Sequence, residues 1–276
     1  MIRALLLLGF VLGANAADVE PVKNAGPYVP SPQSVVSDML RYAEVTSRDF
    51  LIDLGSGDGR IVLTAAKVFG ARGFGVEIKE DLVKRANEAA KIEGLAERVR
   101  FMNADLFKTD ISQATVITMY LLPDTVNLLK DKFLAELKPG TRIVSHDYPL
   151  TGWIPEKYVQ MDLEDKVQIS GVTTTLIYVY VVPAKVAGNW TVQMPPAVSR
   201  APATLVLRQQ LTRVTGSATI DGNDVPLEDV VLRGDKLTFK FAGRKGEFTG
   251  QVRGNAIEGL FESGGSKSAW SAALKG

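Results

Sequence analysis

The chain has no cysteine, a single histidine, and 32 basic residues set against 31 acidic ones, for a net charge of +1. The first absence excludes disulfides, thiolate nucleophiles and cysteine-ligated zinc or iron–sulfur centres. One imidazole, His146, leaves no histidine-rich metal site. Balanced charge supplies no global field for nucleic acid, so no nucleic-acid partner is expected. Long apolar runs are scarce too. The run at residues 4–13 is about half of the roughly 20 residues that a membrane span needs.

That run has a basic residue before it, Arg3, and the small residues Ala14-Asn15-Ala16 after it. This is the layout of a secretory signal cleaved after Ala16, which predicts a periplasmic or secreted protein. Kept uncleaved, the same segment would anchor the chain at the inner membrane. Residues 17–48 read as a linker and an N-terminal helix. Pro27-Tyr28-Val29-Pro30-Ser31-Pro32 holds the chain extended, and Ser31 is placed to cap a helix with Pro32 at its first position. Val35, Val36, Met39, Leu40 and Ala43 then share one face of that helix.

From residue 49 to 183 strand and helix patterns alternate, which predicts an α/β unit with a parallel sheet and right-handed crossovers. Apolar strands are expected at 50–54, 73–77, 98–102, 114–120 and 141–146. A helix at 124–137 stops at Lys138-Pro139-Gly140. The segments 158–169 and 173–182 are close enough to pair as an antiparallel terminal hairpin, making a seven-strand mixed sheet. From 188 to 276 the helical period vanishes. Short alternating runs, such as Leu237, Phe239 and Phe241, are separated by glycine turns, which predicts an all-β meander or small barrel. A chain of 276 residues has room for both units.

The chemistry centres on Phe50-Leu51-Ile52-Asp53-Leu54-Gly55-Ser56-Gly57-Asp58-Gly59-Arg60. A strand running through alternate glycines into a helix presents backbone N–H groups and a positive helix end to a ligand. In parallel sheets ligands lie across the carboxyl ends of the strands. Glu77 ends the second strand, where a carboxylate can accept from both hydroxyls of a ribose. Asp105 follows the third, where it can accept from an adenine amine. Alone, Glu77 reads nearly as well as a solvated strand-end carboxylate, and Asp105 reads better as one; together with Gly55, Gly57 and Gly59 they predict a nucleoside site. The order G-x-G-x-G differs from the dinucleotide fingerprint. Asp53 and Asp58 would repel a pyrophosphate and suit a ligand carrying an ammonium and a sulfonium, namely S-adenosylmethionine (SAM).

These residues, with Tyr120-Leu121-Leu122-Pro123 and Ser145-His146, resemble the seven-strand class I SAM-dependent methyltransferases. Within them residues 27–183 are most similar to the branch related to the ATP synthase c-subunit lysine methyltransferases. The resemblance implies a Rossmann-like fold and methyl transfer from SAM to a nucleophilic acceptor. That acceptor is a protein or a small molecule, with a protein lysine amine foremost. It implies that Gly55, Gly57 and Gly59 shape the methionine pocket and that Asp53 or Asp58 faces its amino group. Glu77 would bind the ribose and Asp105 the adenine. Tyr120 is the first candidate to orient the acceptor and His146 the second. Trp153 either closes the site or packs. Two other readings stay open: an exported SAM-binding module without transfer activity, and an NAD-dependent oxidoreductase. Export also sets the site apart from its donor, because the periplasm has no evident supply of SAM.

Overall fold

A computed structural model describes residues 27–275. The expected signal at 1–16 and the start of the linker, 17–26, lie outside the described residues. Strands β1 (Phe50–Leu54), β2 (Arg72–Glu77), β3 (Val99–Asn103), β4 (Val116–Met119) and β5 (Arg142–His146) run parallel. β6 (Lys157–Asp162) and β7 (Thr174–Val181) complete a seven-strand sheet of order β3-β2-β1-β4-β5-β7-β6, with β7 antiparallel to both of its neighbours. This is the mixed sheet expected from the sequence.

Alternation along the strands sorts side chains into two apolar layers. Leu51, Val116 and Val144 pack under α1 (Gln33–Tyr42), α2 (Arg60–Phe69) and α3 (Glu80–Ile92). Ile52, Leu54, Ile117 and Met119 pack on the opposite face against α4 (Pro123–Leu128) and α5 (Lys130–Glu136). On α1, Val35, Val36, Met39 and Leu40 are all fully buried. Burial of each such side chain contributes about 1.5–3 kcal/mol, so the helix is held by its apolar stripe.

Three local expectations change. Ser31 does not cap α1: Pro32 holds that position without a side-chain cap bond, and the Ser31 hydroxyl is used elsewhere. The helix expected at 124–137 is two short helices separated at Leu129, whose fully buried side chain joins the sheet-facing core. The strand expected at 158–169 ends at Asp162. The chain then turns as α6 (Glu164–Ser170), which places buried Lys166 under the sheet edge, and returns as β7.

The second unit is a meander of β8 (Gly188–Gln193), β9 (Ala203–Gln210), β10 (Arg213–Ile220), β11 (Asn223–Arg233), β12 (Lys236–Phe241), β13 (Glu247–Arg253), β14 (Ala256–Ser263) and β15 (Ser266–Leu274). β15 pairs with β8, closing an eight-stranded antiparallel barrel and leaving no free edge. Inward residues alternate along each strand. Leu237, Phe239 and Phe241 on β12 meet Phe248, Phe261 and Trp270 in an aromatic interior.

In such a meander alternate turns gather at opposite ends of the barrel. The end bearing Leu211 and Gly234 meets the sheet. Leu211 packs into its core, the Ala184 N–H donates to Gly234 O at 2.7 Å, and Arg233 pairs with Glu156 at 3.2 Å. A Cβ added at Gly234 would lie 3.1 Å from Gly140 Cα. Gly140 precedes β5, so the barrel is attached at the amino end of that strand. His146 lies at the other end.

Candidate active site

At the carboxyl ends of β1, β2 and β4 the sheet opens into a cavity of about 410 Å³. β1 sits between β2 and β4, and Asp53 near its end is opposite Gly75 on one side and Thr118 on the other. Central strands are apolar, so Thr118 needs a reason. Its hydroxyl donates to Asp53 Oδ1 at 2.7 Å. Asp53 is 2% exposed. Burial pushes its pKa up to about 7; the Thr118 hydrogen bond works against this, and the Glu77 and Asp58 carboxylates add to it.

After Leu54 the chain bends back over β2, with the N–H groups of Gly55 and Ser56 both donating to Val76 O. Glu77 is 9% exposed. Its Oε2 accepts from the Gly57 N–H at 3.0 Å and its Oε1 from the Lys79 N–H at 2.9 Å. Each oxygen keeps a second lone-pair direction for a ligand hydroxyl. Gly57 has φ +54, and a Cβ there would lie 2.5 Å from the Tyr28 ring. Tyr28, in the extended segment before α1, thus lies over the glycine turn and lines the cavity. At Gly55 an added Cβ would strike Leu121, at 2.6 Å.

Two expected ligand residues stand differently. Gly59 is absent from the cavity wall. It is the left-handed residue that starts α2, and a Cβ on it would strike Phe101 and Ala86 in the core. Asp58 does line the cavity, but its carboxylate is forked by Arg60, with contacts at 2.6, 2.9 and 3.2 Å. The side-chain hydrogen bonds and charge of Arg60 outweigh burial and hold its pKa below the usual carboxylate range. Of the two carboxylates expected to greet a cation, Asp58 is already neutralised. Asp53 and Glu77 carry the field. Asp105 lines the cavity beyond β3, with Oδ1 accepting from the Phe107 N–H at 2.8 Å.

Tyr120, just past β4, lines the cavity next to Leu121. Burial, followed by the nearby Asp147 carboxylate, pushes its phenol well above the ordinary value, so it stays protonated across the neutral range. His146 does not reach the cavity. It is fully buried behind Tyr120, with ring centroids 4.0 Å apart and Nδ1 2.8 Å from Ser31 Oγ. Burial lowers its pKa to about 4, the Asp147 charge opposing that shift and Lys166 adding to it. The imidazole is therefore neutral and sealed from an acceptor; the role expected of it at the acceptor passes to support of the Tyr120 ring. Trp153 packs: it is 3% exposed, with its ring 5.9 Å from that of Tyr180.

Behind this pair Asp147, at φ +63, accepts from Lys166 Nζ through both oxygens at 2.7 Å and from the Leu176 N–H at 3.0 Å. Ser31 belongs to the same extended segment as Tyr28, and Arg60 donates to Ser31 O at 2.9 Å. One strap therefore touches both the glycine turn and the support of Tyr120. Tyr28, Ser56, Arg60 and Leu121 stand in motifs quoted from the sequence without a role of their own, and Thr118 reads there only as part of an apolar strand. A threonine inside an apolar strand and an arginine two residues after Asp58 were the available signals for two of them.

A SAM molecule fits this donor set. The wall carries Asp53, Asp58, Glu77 and Asp105 against Arg60 and Lys79, with Arg60 already forked onto Asp58, and Ser56 Oγ is buried there without a hydrogen-bond partner among the described residues. The volume lies within the roughly 300–1,000 Å³ of small-molecule sites.

The family model described as the ANTKMT methyltransferase domain matches residues 53–157. A protein-lysine N-methyltransferase of Saccharolobus islandicus is 40% identical over 157 residues, 56% of this chain and 93% of that protein. An ATP synthase c-subunit lysine N-methyltransferase of Xenopus laevis is 32% identical over 130 residues, 47% of this chain and 57% of that protein. The chain thus spans little more than half of the Xenopus protein. Among solved structures, an RNA methyltransferase from Salinibacter ruber in complex with S-adenosyl-L-homocysteine is 45% identical, with a TM-score of 0.52. That match covers 57% of this chain and 96% of the other. The family-model match ends before β7 and the barrel begin.

Proposed function

The chain belongs to the SAM-dependent methyltransferase family that includes the protein-lysine N-methyltransferases, and on that premise we propose that it methylates a lysine amine of a protein. The observation that carries the reading is the acid-lined cavity, where Asp53, Glu77 and Asp105 surround the glycine turn and Tyr120 stands at the wall. SAM, when bound, supplies an electrophilic methyl group on a sulfonium. The chain's own residues do the rest. Glu77 binds the ribose, Asp105 the adenine amine, and Asp53 the methionine ammonium. A cation beside Asp53 favours its charged form, so binding releases a proton near neutral pH.

Displacement at a methyl carbon is in line, so holding the two partners in place can supply roughly 7–11 kcal/mol of the acceleration. Tyr120 remains a neutral phenol, and His146 is neutral and buried; neither acts as a strong base. Desolvation against Tyr120 and Leu121 lowers the acceptor amine's pKa, so its ammonium gives its proton to solvent water before transfer. Tyr120 then orients the free amine by its hydroxyl. A module that binds SAM without transfer, and a nicotinamide oxidoreductase, are both disfavoured by the family.

The test is transfer of radiolabelled methyl from SAM into protein and RNA fractions of an extract, followed by hydrolysis. Label in methyl-lysine supports the reading. Label in RNA alone, the substrate class named for the Salinibacter relative, overturns it. We propose in addition that residues 1–16 export the chain to the periplasm. The basic, apolar and small-residue order of that segment supports this. A C-terminal reporter active only in the periplasm tests it, and a reporter that stays silent there overturns it.

A further inference from the structure

The barrel end that faces away from the sheet is built from the 194–202 connection, the 242–246 loop and the Gly264-Gly265 turn. A second cavity, of about 370 Å³, opens there. Its floor is aromatic. Phe241, Phe248 and Phe261 line it, with centroid separations of 4.9 Å and 4.5 Å along the chain of rings. Val198, from the segment that crosses the barrel end, forms part of the wall. Ser268 stands opposite Phe261 in the β14–β15 pairing and is half-buried, so its side chain shares the inward face. Ser263 and Ser266 add hydroxyls at the mouth.

The charged side chains that line this cavity have one sign. Arg244 and Lys245 are exposed on the cavity wall, and no carboxylate lines it. Neither side chain has a hydrogen-bond or ion-pair partner among the described residues. Three other barrel cations, Lys240, Lys267 and Arg233, pair with Asp229, Glu262 and Glu156. Glu262, the nearest acid along β14, is therefore engaged. An aromatic floor, a ring of hydroxyls and two unmatched cations select a molecule with an apolar body and one anionic head. The guanidinium of Arg244 can take a carboxylate through two parallel bonds.

We propose that the outer mouth of the barrel is a second binding site, for a small monoanionic amphiphile such as an acyl or aryl carboxylate. The site is separate from methyl transfer and does not rest on that reading. It gives the barrel a task at the end opposite its attachment to the sheet.

The test uses the full chain and three eight-carbon probes, octanoate, octanol and octylammonium, in titration calorimetry with tryptophan fluorescence alongside. Trp270 reports because its ring lies 5.5 Å from that of Phe248. Saturable octanoate binding is expected, about tenfold tighter than octylammonium, because the rim attracts one head and repels the other. Arg244→Gln with Lys245→Gln should weaken octanoate about tenfold and leave octanol unchanged. Ser268→Phe should abolish binding by filling the floor. SAM affinity should stay the same in every variant. Equal binding of octanoate and octylammonium, or octanoate binding that survives the double substitution, overturns the proposal. So does sedimentation of the chain with anionic phosphatidylglycerol vesicles without saturable octanoate binding, which would make the mouth a membrane-docking rim.

Discussion

The two halves of the molecule bury different things. Among the described residues, the buried polar side chains belong to the α/β half or its strap, and Ser199 is the exception. The same holds for buried polar atoms without partners: Ser56 Oγ, His146 Nε2, Trp153 Nε1 and Thr175 Oγ1. The barrel core is aliphatic and aromatic. Burying a polar group without a hydrogen bond costs about 1–3 kcal/mol on protein-derived scales. The α/β half carries this cost near the carboxyl ends of its strands, where a ligand can offset part of it. The barrel interior is a frame without that burden, so its binding chemistry can stand only at the rim.

The largest expected break of this comparison is Gly57→Val. The branched side chain would meet the Tyr28 ring, and φ +54 disfavours any β-branched residue. SAM binding should fall at least a hundredfold, about 3 kcal/mol, in calorimetry. The barrel should keep its near-ultraviolet aromatic signal. Loss of both together would show that the halves are not independent.

Next in size are two opposing pH slopes inside the α/β half. Asp53 titrates near 7 when folded, above its ordinary 3.8. Its contribution to stability is full below about pH 4 and is lost as pH rises through 7. His146 titrates near 4 when folded, below its ordinary 6.5. Its contribution is full above pH 6.5 and is lost as pH falls through 4. Each displacement corresponds to roughly 3–4 kcal/mol, so in the parent chain they largely cancel. Asp53→Asn should expose the histidine slope, with denaturant stability falling from pH 6.5 to 4. His146→Gln should expose the opposite slope, stability falling from pH 4 to 7. Flat profiles in both variants would contradict the two burials. Asp53→Asn should also remove the tightening of SAM binding between pH 6 and 8.

Much of this architecture was legible because period and punctuation agree along most of the chain. The strand–glycine–helix order at 50–69 and the glycine-punctuated alternation after 188 each needed only local information. Lost were features set by distant partners. Ser31 has every local mark of a cap, yet its hydroxyl goes to an imidazole 115 residues away. Asp58 looks free in sequence until Arg60 folds back on it. Gly59 belongs to the glycine motif but serves core packing against Phe101. His146 ends a strand at the correct end of the sheet, and only its full burial behind the Tyr120 ring shows that it is sealed off. Charge at a site is a sum over neighbours, and neighbours are what a linear pattern omits.

A smaller effect is expected at the adenine end. Asp105→Ala removes a charged acceptor that already takes one backbone N–H, so SAM should bind about tenfold more weakly. Transfer at saturating SAM should hardly change. A large fall in turnover without a change in affinity would place Asp105 near the acceptor instead.

The smallest effect lies where the halves meet. Among the described residues Arg233 and Glu156 form the ion pair across that boundary, but the arginine is 59% exposed, and exposed pairs are worth about 0–1 kcal/mol. The junction depends instead on the Ala184–Gly234 backbone bond, the close approach of Gly234 to Gly140, and Leu211 in the sheet's core. A double-mutant cycle on Arg233→Ala and Glu156→Ala should therefore give a coupling below about 1 kcal/mol, shrinking with added salt. Leu211→Ala should cost more and should be insensitive to salt, because it removes packing and no charge. If the ion-pair coupling exceeded the leucine effect, the barrel would be held by electrostatics, and its orientation on the sheet would vary with ionic strength.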